Sequence, residues 1–259
     1  MNEDYIGTRA KIGVIIPSTN TAVEYDLQQF SQIPGVTWHP SRFWVELSQW
    51  NDAAEGEGKP INQVFEEFLE LIRVEIPLSI RNVMSSNVDH IMLGMSAETF
   101  WGGLQGNIEF EKRITDQLGD LGLTTGATAC REALELMKVK TVSVVTPYPP
   151  VGDDNVRQFF GDIGFEVKNI KGLCRPSAQA IAETPVKMIM DAVREVDGDD
   201  VDAIIQVGTN LTTVDHFPTL ENYLGKPCLP INVATVWHAL RNAGIKDKFY
   251  GKGRLLEEF

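Results

Sequence analysis

The sequence is poor in the residues that covalent frameworks and metal centres require. It has three cysteines, Cys130, Cys174 and Cys228, an odd number at irregular spacing. Neither a disulfide framework nor a zinc site follows, and a reducing compartment, the cytoplasm, is expected. Histidines number four, and no His, Asp or Glu spacing suggests a metal site. A Gly-rich phosphate loop and a dinucleotide fingerprint are both missing, so no cofactor is expected. Basic residues are scarce: 23 Lys and Arg stand against 36 Asp and Glu, a formal net charge of −13. So acidic a surface repels phosphate backbones and disfavours nucleic acid as a partner. It also repels an anionic substrate at long range, so an anion site needs strong local donors. No apolar run reaches the ~18 residues that span a bilayer. The opening Met1-Asn2-Glu3-Asp4-Tyr5 has neither the basic nor the apolar region of a signal peptide. No membrane partner is expected.

What is present is a core of ordinary size. Hydrophobic residues make up 43% of 259, enough for two domains of roughly 100–150 residues or one large one. Ile12-Gly13-Val14-Ile15-Ile16-Pro17 is a short apolar run ending in turn residues, which predicts a buried parallel strand. Ser18, Thr19 or Asn20 can cap the helix that the spacing of Val23, Leu27 and Phe30 predicts. A second strand is expected over 36–45, with Pro40 placing it at an edge or bulge. Residues 51–59, polar and Gly-rich, read as a loop. Phe65, Phe68, Leu69, Ile72 and Ile76 mark a long amphipathic helix. Strands over 88–94, 141–146, 165–170, 201–207 and 228–231 alternate with helices over 108–118, 125–138, 186–196 and 234–242. Such alternation predicts an α/β protein built on parallel sheet.

The chain also repeats. Residues 12–30 and 142–160 each run strand, proline, polar turn and a helix, ending Leu-Gln-Gln-Phe and Val-Arg-Gln-Phe-Phe. Val88-Asp89-His90-Ile91 and Val201-Asp202-Ala203-Ile204 then recur in the same order, each followed by a Gly-containing turn. A duplicated unit is expected. The expected halves are residues 1–123, with 236–259 packing back on them, and residues 124–235. Ligands in open parallel sheets bind beyond the carboxyl ends of strands. Four such ends carry small or polar residues: Pro17-Ser18-Thr19-Asn20, Gly94-Met95-Ser96-Ala97-Glu98, Thr146-Pro147-Tyr148 and Gly208-Thr209-Asn210. Each alone reads more readily as an ordinary turn, and only the set of four on equivalent strands brings the two readings level. Facing one another, they would line one cleft whose backbone N–H groups and hydroxyls suit a carboxylate.

Pro17-Ser18-Thr19-Asn20-Thr21, the Thr146-Pro147-Tyr148 strand end and a tail with Trp237 and Gly253-Arg254-Leu255 resemble the maleate isomerase and arylmalonate decarboxylase branch of the aspartate/glutamate racemase superfamily. The resemblance implies two pseudo-symmetric parallel-sheet domains with the substrate, a small carboxylate, in the interdomain cleft. It implies one catalytic cysteine per half for racemases, the first as nucleophile in isomerases, and the second alone in decarboxylases. Here the first position falls on Gly94 and the second on Gly208 or Val207, so both cysteines are missing. Cys130, on the apolar face of a helix, and Cys228, at a strand start, read as core; Cys174 lies beside Arg175. The resemblance assigns carboxylate binding to Asn20, Tyr148, Ser96 and the backbones of Gly208 and Thr209, with Ser177 matched to an isomerase asparagine. Ser18, Thr19, Gly94, Met95 and Asn210 complete the expected substrate-binding set.

With cysteine gone, Glu98 is the candidate acid or base. Phe100 and Trp101 flank it, and desolvation there would raise its pKa; a capping or solvated glutamate is the alternative. Asp215 and His216 are adjacent, and adjacent residues rarely face each other. His238 reads as a packing residue, while His39 and His90 fall within strands. The expected function is a cysteine-independent decarboxylase of a small mono- or dicarboxylate, stabilising an enediolate with Ser96, Tyr148 and backbone donors. A cysteine-independent isomerase, a hydrolase or hydratase, and a non-catalytic carboxylate-binding protein are the alternatives. Homo-oligomerisation is left open.

Overall fold

A computed structural model describes residues 5–30, 33–45 and 50–259. The acidic residues 1–4 lie outside the described residues. The first half runs β1 (Ala10–Pro17), α1 (Ala22–Gln28), β2 (Val36–Phe43), α2 (Trp50–Glu57), α3 (Ile61–Met84), β3 (His90–Leu93), α4 (Ala97–Phe100), α5 (Gly103–Leu118), β4 (Gly122–Thr124) and α6 (Gly126–Leu136). The second runs β5 (Thr141–Thr146), α7 (Pro150–Asp162), β6 (Glu166–Gly172), α8 (Ala178–Ala182), α9 (Val186–Val196), β7 (Ala203–Gln206), α10 (Phe217–Leu224), β8 (Cys228–Pro230), α11 (Ile231–Asn242) and α12 (Arg254–Glu258). The strands form two four-stranded parallel sheets, ordered β2-β1-β3-β4 and β6-β5-β7-β8. Counted from its own first strand, each sheet has the same order, so the repeat in the sequence is a repeat of topology.

The strand chemistry explains the positions. Ile12, Val14, Ile15 and Ile16 of β1 are fully buried, as a strand covered on both faces requires. β2 sits at the edge, with Pro40 opposite Val14. Its missing N–H is harmless there because no further strand needs it. Helix α11 is buried from Ile231 to Leu240 and packs on β3, β4 and α6 of the first half. Arg241 holds the tail behind it, donating to the carbonyls of Ile245, Asp247 and Phe259. Asp247 in turn pairs with Arg9 just before β1.

One expectation over 51–59 is corrected. The segment is helix α2 up to Glu57, because Trp50 anchors it against Phe65 and Phe68 at centroid distances of 5.1 and 5.4 Å. That tertiary contact adds to the helix-forming Ala53, Ala54, Glu55 and Glu57 and outweighs Gly56. Short β4, α8, α10 and α12 carried too few residues for a periodic signal.

Candidate active site

The four polar strand ends meet at one cavity of about 60 Å³, several times what a single buried water needs. Pro17 comes from the end of β1, Met95 and Ser96 from the turn after β3, Tyr148 from the turn after β5, and Gly208 from the turn after β7. Thr19, Asn20, Ser96, Tyr148, Thr209 and Asn210 form its polar end. Ser96 Oγ is the focus of that end. It lies 2.9 Å from the Tyr148 hydroxyl and accepts the Thr209 N–H at 3.1 Å. Asn20 Nδ2 donates to Thr209 Oγ1 at 3.2 Å, and that hydroxyl donates to the Gly94 carbonyl at 3.0 Å. The two halves are thus joined by hydrogen bonds through the cavity floor.

The start of α1 is tied across the halves as well. Asn20 Oδ1 accepts from the N–H groups of Ala22 and Val23, the capping role its position predicted. Asn210 Oδ1, from the other half, accepts from Thr21 and Ala22. Tyr148 is 3% exposed, and burial pushes its phenol well above the usual range. It therefore stays protonated and able to donate at neutral pH. Among the described residues no charged side chain lines the cavity. An anion there would be held by neutral donors alone, so each must be aimed at it.

The rest of the wall is apolar. Phe43, Val45, Trp50, Phe65, Phe68, Ile72, Met95 and Ile181 line it, and Trp50, Phe65 and Phe68 pack on one another. Phe65 touches both regions, with its ring 5.7 Å from Tyr148. The cavity therefore has one hydrogen-bonding end and one greasy end, the arrangement that orients a small ligand with a polar head.

Several expected site residues are placed elsewhere. Glu98 is 1% exposed and its carboxyl is pushed up by burial, as its neighbours suggested. It does not line the cavity: Oε1 is paired with Arg73 of α3, so its carboxylate is committed to an internal ion pair. Ser177 is buried, but its hydroxyl caps α8 by accepting from Ala180 N–H. Ser18 Oγ accepts from Val45 N–H. Gly94 contributes only its carbonyl. Asp215 binds the Tyr25 hydroxyl at 2.7 Å, away from its neighbour His216. His90 and His238 are linked through Thr124 Oγ1 at 2.7 Å each, and His238 continues to Glu132. His39 bonds Thr37 Oγ1. None of these histidines lines the cavity.

The cysteines are equally remote. Cys130 is fully buried in α6, Cys228 is 5% exposed at the start of β8, and Cys174 is exposed. None is a lining residue. Burial raises the Cys130 thiol and pushes Cys228 up to about 12, far from a reactive thiolate. At Gly94 a Cβ would lie 3.1 Å from Val23 Cγ1 and 3.2 Å from Ile15 O. At Gly208, where φ is +105°, it would lie 2.5 Å from Pro147 Cδ. Val207 is fully buried.

Three supporting residues lay outside the expected set. Arg42 Nη1 donates to the carbonyls of Pro17, Ser18 and Asn20, gripping the first turn from the outside. Asn232 Nδ2 donates to the Thr209 carbonyl at 2.9 Å and to Asp26 Oδ2 at 2.6 Å. Asp26 is 1% exposed, and burial pushes its carboxyl up to about 7. Asn232 does follow the fourth strand end of the second half, a position the strand-end rule could have included.

Comparison with known proteins agrees with the architecture. The family model described as arylmalonate decarboxylase matches residues 54–256. A maleate isomerase of Pseudomonas putida is 24% identical over 251 residues, covering 95% of this chain and 96% of that protein. An arylmalonate decarboxylase of Bordetella bronchiseptica is 26% identical over 190 residues, covering 68% and 79%. Among solved structures, a cysteine-to-serine variant of Nocardia farcinica maleate cis-trans isomerase with a covalently bound succinylcysteine intermediate superposes with a TM-score of 0.82. It is 20% identical over 96% of this chain and 99% of that one.

Proposed function

The chain belongs to the arylmalonate decarboxylase family, and on that premise we propose that it is an enzyme acting on a small carboxylate, by cysteine-independent decarboxylation. The observation that carries the reading is the convergence of the Tyr148 hydroxyl and the Thr209 N–H on Ser96 Oγ, at the polar end of an otherwise apolar cavity. A substrate carboxylate entering there exchanges these internal bonds for its own. One carboxylate of a malonate-type substrate sits in this cradle and the other faces the apolar wall. The bond between the second carboxylate and the adjacent carbon breaks, CO₂ leaves, and the electron pair remains as an enediolate. Ser96, Tyr148 and Thr209 N–H hold the charge that develops on its oxygens, where preorganised donors are most effective. A proton from water then completes the product.

Among the described residues no thiol lines the cavity; decarboxylation needs only one proton donor, which water can supply, whereas the related isomerase structure carries a succinylcysteine, a covalent bond to a thiol. The test is direct. Purified protein is incubated separately with phenylmalonate, methylmalonate and maleate, and CO₂ and fumarate are followed. Release of CO₂ from phenylmalonate is expected. Fumarate from maleate would replace the decarboxylase reading with an isomerase. Tight binding of all three without turnover would make the protein a carboxylate binder.

A further inference from the structure

Thr209 carries the second half's backbone donor to the cavity, and each of its polar atoms is held. Its N–H donates to Ser96 Oγ at 3.1 Å. Its hydroxyl donates to the Gly94 carbonyl at 3.0 Å and accepts from Asn20 Nδ2 at 3.2 Å. Its carbonyl accepts from Asn232 Nδ2 at 2.9 Å. Asn232 stands at the start of α11 and is 4% exposed. Its amide also donates to Asp26 Oδ2 of α1 at 2.6 Å. Neither Asn232 nor Asp26 lines the cavity. A line of hydrogen bonds therefore runs from α1 of the first half, through α11, to a cavity donor of the second.

Two features tie this line to the site. The peptide that carries the Thr209 N–H begins at Gly208, whose φ is +105°. Glycine is the least restrained residue, so the direction of that N–H needs support from outside. Asn232 supplies it from the far side of Thr209. Asp26, in turn, is 1% exposed and its Oδ1 has no partner among the described residues. A buried carboxyl with half its acceptors unused is an unfavourable way to fasten a helix, because an apolar side chain would pack without that loss. Its one bond is to Asn232, and holding Asn232 is what its place in α1 achieves.

We propose that Asn232, itself oriented by Asp26, is a positioning residue that aims the Thr209 N–H into the carboxylate cradle. The inference rests on the cradle proposed above. A donor fixed in advance matters most where charge develops, so loss of its aim lowers kcat more than it raises KM.

The test compares Asn232→Ala, Asp26→Ala and Asp26→Asn with wild type in two measurements. The first is hydrogen exchange of the Thr209 amide in ligand-free protein, read against the buried Val144 of β5 and Ile205 of β7. Relative to those two, Thr209 should exchange about 10-fold faster or more in both alanine variants. Asp26→Asn, whose amide oxygen still accepts from Asn232, should restore most of the protection. The second is CO₂ release from phenylmalonate. There kcat should fall about 10–100-fold in the alanine variants, the effect of a misplaced donor, with KM much less changed. Asp26→Asn should again recover most of the rate. Asn232→Leu, which fills the space without a donor, replaces Asn232→Ala if that variant does not fold. Unchanged Thr209 exchange, a rise shared equally by Val144 and Ile205, or an unchanged kcat in an active protein would overturn the positioning role. No recovery in Asp26→Asn would overturn the part given to Asp26. A wild type that releases no CO₂ would overturn the decarboxylase reading, and the exchange result alone would then decide whether Asn232 positions Thr209.

Discussion

Replacing Tyr148 by phenylalanine removes one oxygen from the focus of the cavity and little else. The ring is buried and packs 5.7 Å from Phe65, a contact phenylalanine keeps. In the free protein the loss is one neutral hydrogen bond to Ser96 Oγ, about 1 kcal/mol. Ser96 keeps its bond from Thr209 N–H, so the melting temperature should fall by only about 2–4 °C. In the complex the same hydroxyl donates to a charged oxygen, a bond of about 1.5–3 kcal/mol. Binding exchanges the first bond for the second, so the variant should lose the difference, about 0.5–2 kcal/mol, and Kd should rise about 2–30-fold. If the hydroxyl serves the enediolate more than the bound carboxylate, kcat falls beyond this while KM changes less. Calorimetry with phenylmalonate and initial rates of CO₂ release measure both quantities. A folded variant with Kd and kcat within twofold of wild type would show that Tyr148 does not face the substrate, and the cradle would have to be abandoned.

Glu98→Ala should leave ligand affinity within twofold, because its carboxylate is held by Arg73 and not by the cavity. It should cost about 3 kcal/mol in urea unfolding, the low end for breaking a buried pair, since Arg73 is partly exposed; loss of binding at full stability would reverse the assignment. A variant with Cys130, Cys174 and Cys228 all replaced by Ala or Ser should keep both binding and turnover, and a folded but inactive protein would mean that one thiol reaches the reacting carbon. Asp26→Asn tests the buried carboxyl behind Asn232. Its folded pKa of about 7 lies above the ordinary ~3.9, so its contribution to stability is full below pH ~3.9 and is lost as pH rises through 7. The three-unit gap bounds that loss at about 4 kcal/mol. Thermal melts from pH 5 to 8 should therefore fall less steeply for Asp26→Asn than for wild type, and parallel curves would place a charged, solvated carboxylate there instead.

Local chemistry alone determined the framework of this protein. Apolar runs such as residues 12–16 mark buried strands, Pro40 marks an edge, and the polar turns after the strands mark the end where a cavity forms. These features depend on period and on backbone conformation, which neighbours in the chain set. The same reasoning brought Asn20 and Ser96 to the end of one sheet and Tyr148 and Thr209 to the end of the other, because a parallel sheet carries all its strand ends to one side; the tertiary structure decided that the two ends face each other. Only the tertiary structure decided where individual side chains point. Glu98 lies beside cavity residues in the chain, yet Arg73, 25 residues away, draws its carboxylate into an ion pair. Ser177 gives its hydroxyl to a helix start that was too short to foresee. Trp50 turned an apparent loop into a helix by burying its ring against Phe65 and Phe68. In each case the partner is remote in the chain or belongs to an element without its own periodicity. The energy that orients the side chain therefore comes from contacts that exist only after the chain has folded.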